Sequence, residues 1–202
     1  MFNLIRRDVI LQKKQLLLFV PFTLFFVLLG KQNPAFIFLL ASLFVPINTF
    51  AYDEKVEVNI LLNSLPYKRS EIIASRYLGA IVYMLLATGV TCGLFYALSR
   101  PFTITDIAIS SGLFLLFTAL FFPVSYVIKK GYVFPVAMIS FLALSIIGPK
   151  IVFHFADDLK VITDFVTSLS TPIFYIGLTL SILIIYVVSW MITTFIYQRK
   201  GF

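Results

Sequence analysis

Long apolar runs alternate with short polar interruptions along this chain, and the runs set the elements. A helix crossing a hydrocarbon core of roughly 30 Å needs about 20 predominantly apolar residues. The pattern predicts six such spans, over 16–30, 34–51, 72–98, 107–128, 131–149 and 172–197. The first is only about 22 Å long at 1.5 Å per residue, so it begins earlier or sits in thinned bilayer. Tight connections at 31–34, 99–103 and 129–131 join most of the spans. Ahead of them, Phe2, Ile5 and Val9 recur at helical spacing among Arg6, Arg7, Lys13 and Lys14. Residues 1–15 therefore read as a basic interfacial helix, the alternative being a plain orienting flank. A basic region before an apolar one also suits a signal peptide. No small-x-small cleavage pattern follows, and five more spans do, so the segment reads as retained.

The longest polar interruption before residue 150 is Tyr52 to Arg76, which carries eight of the chain's 25 formal charges. At 100° per residue over 54–65, Val58, Leu61, Leu62 and Leu65 fall on one arc, with Lys55, Glu57, Asn59 and Asn63 elsewhere. Val56 and Ile60 form a second, smaller apolar patch. Pro66 stops this helix, because proline lacks the amide donor and disfavours helix in the residue before it. Beyond Lys68 and Arg69, Ser70 is placed to cap the next helix, Glu71 lies in its first turn, and Arg76 is placed to snorkel to the headgroups. The stretch is helix, break, helix. It either docks a partner or rests on the lipid surface.

Composition confirms the class and adds a direction. With 60% hydrophobic and 12% charged residues, the chain lies well above the roughly 45–50% apolar fraction of soluble domains. It reads as an all-α integral membrane protein with one domain over 1–202. The net charge of +7 is not a nucleic-acid signature, because the basic residues cluster at span ends. Sorting them by alternate sides puts twelve Lys and Arg with five Asp and Glu on one side, and four with four on the other. The basic side is cytoplasmic, and both termini and the 52–76 stretch lie there. Tyr52, Tyr77, Tyr126, Tyr132 and Tyr197 fall at cytoplasmic span ends, as an interfacial aromatic belt requires.

Candidate chemistry is sparse. The stretches 77–99, 107–128 and 172–197 hold no Asp, Glu, Lys, Arg or His, the groups by which an ion-coupled carrier exchanges its driving ion. A sodium site built from carbonyls and hydroxyls would escape this argument, so an ion-driven carrier or stand-alone membrane module is the alternative reading. His154 lacks an HExxH context, no GxxxxGK[ST] loop occurs, and the lone Cys92 has no partner within the chain for a disulfide. The chain has no catalytic or metal site of its own by this reading; energy for work on a substrate must come from another subunit.

Glu54 followed by ILLNSLPYKRSEIIASRYL at 60–78 resembles the permeases of type-2 ABC exporters. The shared pattern is a run of leucines, Ser-Leu-Pro, a basic residue, a Glu-Ile-Ile start to the third span and a basic residue beside Tyr-Leu. The six-span layout with cytoplasmic termini is similar to that family over the whole chain. The resemblance implies a coupling helix at 54–65, in which Glu54, Lys55, Val56, Glu57, Val58, Ile60, Leu61, Leu62 and Leu65 dock a separate ABC ATPase that holds ATP and Mg. It implies Pro66, Lys68, Arg69, Glu71 and Arg76 as the break and third-span entry. It also implies a second permease, as homo- or heterodimer, and an element between the last two spans. There, Leu159, Ile162, Phe165 and Leu169 recur at helical spacing after Gly148 and Pro149, which reads as an outer gate or a surface connector. Gly89 and Gly93 form a GxxxG pair for close helix packing, within the chain or between chains. Small size makes the chain similar to bacterial permeases that export amphipathic cytolytic or antimicrobial peptides, so a hydrophobic or amphipathic cargo is expected. The cell membrane is the expected location.

Overall fold

Helix starts and stops in this chain are written in a few polar residues at the edges of the apolar runs. The computed structural model describes residues 13–29, 32–55, 68–128 and 171–199, with single positions at 132, 135, 136, 139, 147 and 150. Residues 1–12 of the expected interfacial helix, residues 56–67, the expected fifth span apart from those single positions, and the expected outer element at 151–170 lie outside the described residues. Every described element is a helix: α1 Lys13–Leu29, α2 Pro34–Lys55, α3 Arg69–Ala97, α4 Ile104–Val127 and α5 Thr171–Arg199.

α2 begins at Asn33, whose Oδ1 accepts the Ala35 amide at 2.9 Å, with Pro34 in the first helical position where its missing donor costs nothing. α4 begins three residues before the predicted span because Thr103 and Asp106 form a reciprocal capping box. The Thr103 hydroxyl accepts the Asp106 amide at 3.3 Å, and Asp106 Oδ2 accepts the Thr103 amide at 2.8 Å. α3 ends in the paired bonds of a Schellman motif, Arg100 amide to Phe95 carbonyl at 2.9 Å and Ser99 amide to Tyr96 carbonyl at 3.1 Å. Ser99 is left-handed there, at φ 51°, where glycine is usual. α1 is already helical at Lys13, the first described residue, three positions ahead of the predicted span start at 16.

α3, α4 and the Tyr175–Arg199 part of α5 are each long and apolar enough to cross a membrane. α1 and α2 contain the shorter apolar stretches Leu18–Leu28 and Pro34–Asn48. α4 packs most extensively on α5; α2 lies against α3 and α4, α3 against α5, and α1 against α2 and α3. At one end, Phe38 stacks on Phe95 at 5.3 Å and Phe102 tilts against both, joining the start of α2, the end of α3 and the approach to α4. At the other end, Tyr126 of α4 meets Tyr197 of α5 at 5.3 Å. The helices therefore thread back and forth between an aromatic Phe102 end and a basic Arg69 end. Leu39, Leu43, Ile72, Ile73, Phe114 and Phe122 fill the space between them.

One sequence expectation is corrected here. Tyr77, Tyr126 and Tyr197 are not a lipid-facing belt; they are 2%, 7% and 0% exposed. Their faces turn into the bundle, where ring-on-ring contacts contribute about 0.5–1.5 kcal/mol each beyond area burial. Tyr132, by contrast, is exposed.

Ser99→Gly is expected to stabilise the protein by about 0.5–1 kcal/mol. The left-handed conformation costs a non-glycine residue roughly 1–2 kcal/mol, and glycine's greater freedom in the unfolded chain returns about 0.5–1. Asp106→Ala, which opens the α4 box, should cost about 1 kcal/mol. Equilibrium unfolding in detergent micelles, read by circular dichroism, checks both signs.

Candidate functional site

The described part of the sequence-predicted site is the entry of α3. Its N-cap is Lys68, whose amide is accepted by Glu71 Oε2 at 3.1 Å. Ser70 therefore lies inside the helix, and the expected Ser70 cap is replaced by Glu71 reaching back three residues. Arg69 Nη1 donates to the Gln198 carbonyl at 2.8 Å. A cation thus closes one of the open carbonyls at the C-terminus of α5, where the helix dipole also favours positive charge. One residue on, the Arg199 guanidinium lies 4.0 Å over the Phe195 ring. The Arg69 bond ties the beginning of α3 to the end of α5 across 129 residues of sequence.

Arg76 is a second correction. It does not snorkel; it is 7% exposed, because every position from Ile72 to Tyr77 is buried and the helix is enclosed on all sides there. Glu54 and Lys55 are still within α2, which runs past the predicted span end at 51. Val56, Glu57, Val58, Ile60, Leu61, Leu62, Leu65 and Pro66 lie outside the described residues, as do Gly148, Pro149, Leu159, Ile162 and Phe165. Gly89 and Gly93 are on the outward face of α3, and a Cβ at either would meet nothing within 4 Å.

Sequence reasoning passed over the polar cluster two turns beyond Arg69. The Tyr77 hydroxyl lies 2.7 Å from both Ser189 Oγ and Thr193 Oγ1 of α5. Ser189 donates onward to the Ala119 carbonyl of α4, and Tyr186 donates to the Tyr77 carbonyl at 2.9 Å. All four side chains are buried. The Ala119 carbonyl is the acceptor that the residue-123 amide would take in an unbroken helix, and residue 123 is proline. Pro123 thus opens a carbonyl at depth, and Ser189 from the neighbouring helix closes it. The signal was present as Pro123 inside a span and Ser189 and Thr193 four apart on another, on one helical face. The oxygens in this cluster satisfy one another at hydrogen-bond distance and join α3, α4 and α5.

Toward the Phe102 end, α4 and α5 bound an open apolar groove of about 450 Å³, most of whose lining residues are exposed. Ile109, Leu113, Leu116, Leu178 and Ile182 line it, with hydroxyls from Ser111 and Thr179. The Thr179 hydroxyl is spent on its own helix, donating to the Tyr175 carbonyl at 2.8 Å.

A family described as ABC-2 family transporter protein matches residues 3–198. No curated protein and no solved structure matches the chain.

Ser189→Ala is expected to cost roughly 1–3 kcal/mol, because it strands the Ala119 carbonyl. Tyr77→Phe, which keeps the ring packing, should cost about 0.6 kcal/mol per lost interhelical bond. Adding Pro123→Ala to Ser189→Ala restores the missing amide and recovers most of the loss. Comparing the four proteins by unfolding in mixed micelles tests the ordering.

Proposed function

The chain belongs to the ABC-2 family of transporter proteins, and from that premise we propose that it is the membrane-spanning permease subunit of an ATP-driven exporter. The family match over 3–198 carries this reading, since it takes in the helix-break-helix stretch and the α3 entry together. In this reading the whole chain is one permease domain of six spans, with both termini in the cytoplasm of a bacterial cell. Residues 54–65 are the coupling helix. Glu54, Lys55, Glu57 and the apolar set Val56, Val58, Ile60, Leu61, Leu62 and Leu65 dock the ATPase, which supplies ATP and Mg. Pro66 lets that helix pivot against Lys68, Arg69 and Glu71. A second permease completes the pathway, and Gly89 and Gly93 on the open face of α3 permit close approach of another helix. Gly148, Pro149, Leu159, Ile162 and Phe165 form the outer gate.

The cargo is hydrophobic or amphipathic, of the kind represented by cytolytic or antimicrobial peptides. The open groove along α4 and α5 supports this class, since its walls are apolar and carry no charge. A sugar or an ion would find few partners there.

Glu54→Lys with Glu57→Lys, or Leu61→Asp alone, should abolish co-purification of the ATPase while the permease still inserts. Unchanged co-purification would overturn the docking assignment. Transport by the purified chain in liposomes without ATPase or nucleotide would instead favour an ion-driven carrier. Amphipathic peptides should stimulate the ATPase of the assembled complex, whereas stimulation by unrelated detergents but not by such peptides would count against the cargo class.

A further inference from the structure

We propose that Tyr77 is the positioning residue that carries movement from the cytoplasmic entry of α3 to the opened segment of α4, acting through Ser189 and Thr193 of α5. The inference rests on the permease reading above and goes beyond it, because it assigns the path by which the transmembrane helices respond.

The path is built from contacts already described. Arg69 fixes the start of α3 to the end of α5 through the Gln198 carbonyl. Two turns deeper, the Tyr77 hydroxyl bridges Ser189 and Thr193, so the two helices are joined at two heights and cannot slide past each other without breaking both joints. The Tyr77 ring also stands edge-on to Phe122 of α4 at 4.8 Å and to Tyr186 at 5.1 Å. Ser189 then holds the Ala119 carbonyl that Pro123 leaves open. α4 is weakest at that point, since a proline removes one rung of its ladder. A displacement of α3 is therefore delivered, through one hydroxyl lattice, to the place where α4 bends most easily. The lattice is neutral and buried, so nothing in solvent competes for it. Pro123 and Ser189 act as a pair: with an amide at 123 the carbonyl would also be bonded within α4, and α4 would no longer depend on Ser189 to satisfy it.

The test uses the complex of permease and co-purified ATPase in lipid nanodiscs, with Cys92→Ser and spin labels at Leu28 of α1 and Ile184 of α5, both exposed. ATP with vanadate is the probe, and electron-electron distance is the readout. The parent complex should show a nucleotide-dependent shift. Tyr77→Phe should lose most of it while ATPase co-purification is unchanged. Pro123→Ala with Ser189→Ala, which restores the α4 ladder, should recover stability yet still lose the shift; this separates transmission from mere support of the fold. A full shift in Tyr77→Phe, or in the double variant, overturns the proposal, as does a parent complex that binds its ATPase but shows no shift. Failure of the parent chain to hold any ATPase overturns the permease reading itself, an outcome visible before any distance is measured.

Discussion

A carbonyl opened inside a membrane helix has nowhere to turn but to another protein group. Water is absent there, and an unsatisfied backbone acceptor costs several kcal/mol, so a proline within a span is tolerated only where a neighbour supplies the missing donor. Pro123 sets that condition for this bundle. Its effect reaches beyond α4, because the donor that meets it, Ser189, sits on α5 and is itself bonded to Tyr77 of α3. One missing amide thus fixes the relative height and rotation of three helices.

Those constraints matter because hydrophobic burial contributes little between helices in lipid, where the surroundings are as apolar as the interface. Close packing and hydrogen bonds must do the rest. The Phe38, Phe95 and Phe102 cluster supplies packing at one end. The Tyr126 and Tyr197 pair, the Tyr77 lattice and the Arg69 bond supply it with polar direction at the other. Polar side chains near two other prolines inside described helices behave differently: Thr23 after Pro21 and Asn48 after Pro46 bond back to carbonyls of their own helices. They stiffen or bend a single helix, whereas Ser189 joins two.

The length of the apolar runs made α3, α4 and α5 legible as membrane-crossing helices, and for a physical reason: a bilayer imposes its thickness directly on the apolar run. Helix ends were legible where the cap is made by adjacent residues, as with Asn33 and Pro34, and the Thr103 and Asp106 spacing carries the same kind of signal three residues before the apolar run begins. Ser70 failed as a cap because Glu71 reached back to Lys68 first, and composition at a helix start does not say which of several acceptors wins. Tyr77, Tyr126, Tyr197 and Arg76 were misassigned to the interface for a common cause. Position along the chain gives depth in the membrane, but not which side of the helix faces lipid; that depends on neighbours distant in sequence. The Tyr77 lattice spans more than a hundred residues for the same reason.

The chemistry of this lattice bears on how the bundle can be driven. Moving one elementary charge across the membrane potential is worth about 2.3 kcal/mol per 100 mV, which is how a charged relay couples to ion gradients or voltage. The groups that join α3, α4 and α5 at depth are hydroxyls and a carbonyl, with no net charge to move. Rearranging them does no work against the potential and takes none from it. Of the two arginines at the start of α3, Arg69 sits at the helix ends beside the Gln198 carbonyl, whereas Arg76 is buried next to Tyr77 and is not one of the groups in the lattice. These hydroxyl and carbonyl contacts offer an ion gradient no charge to act on; what couples them to the rest of the bundle is the geometry of α3, α4 and α5, set where Ser189 meets the carbonyl that Pro123 opens.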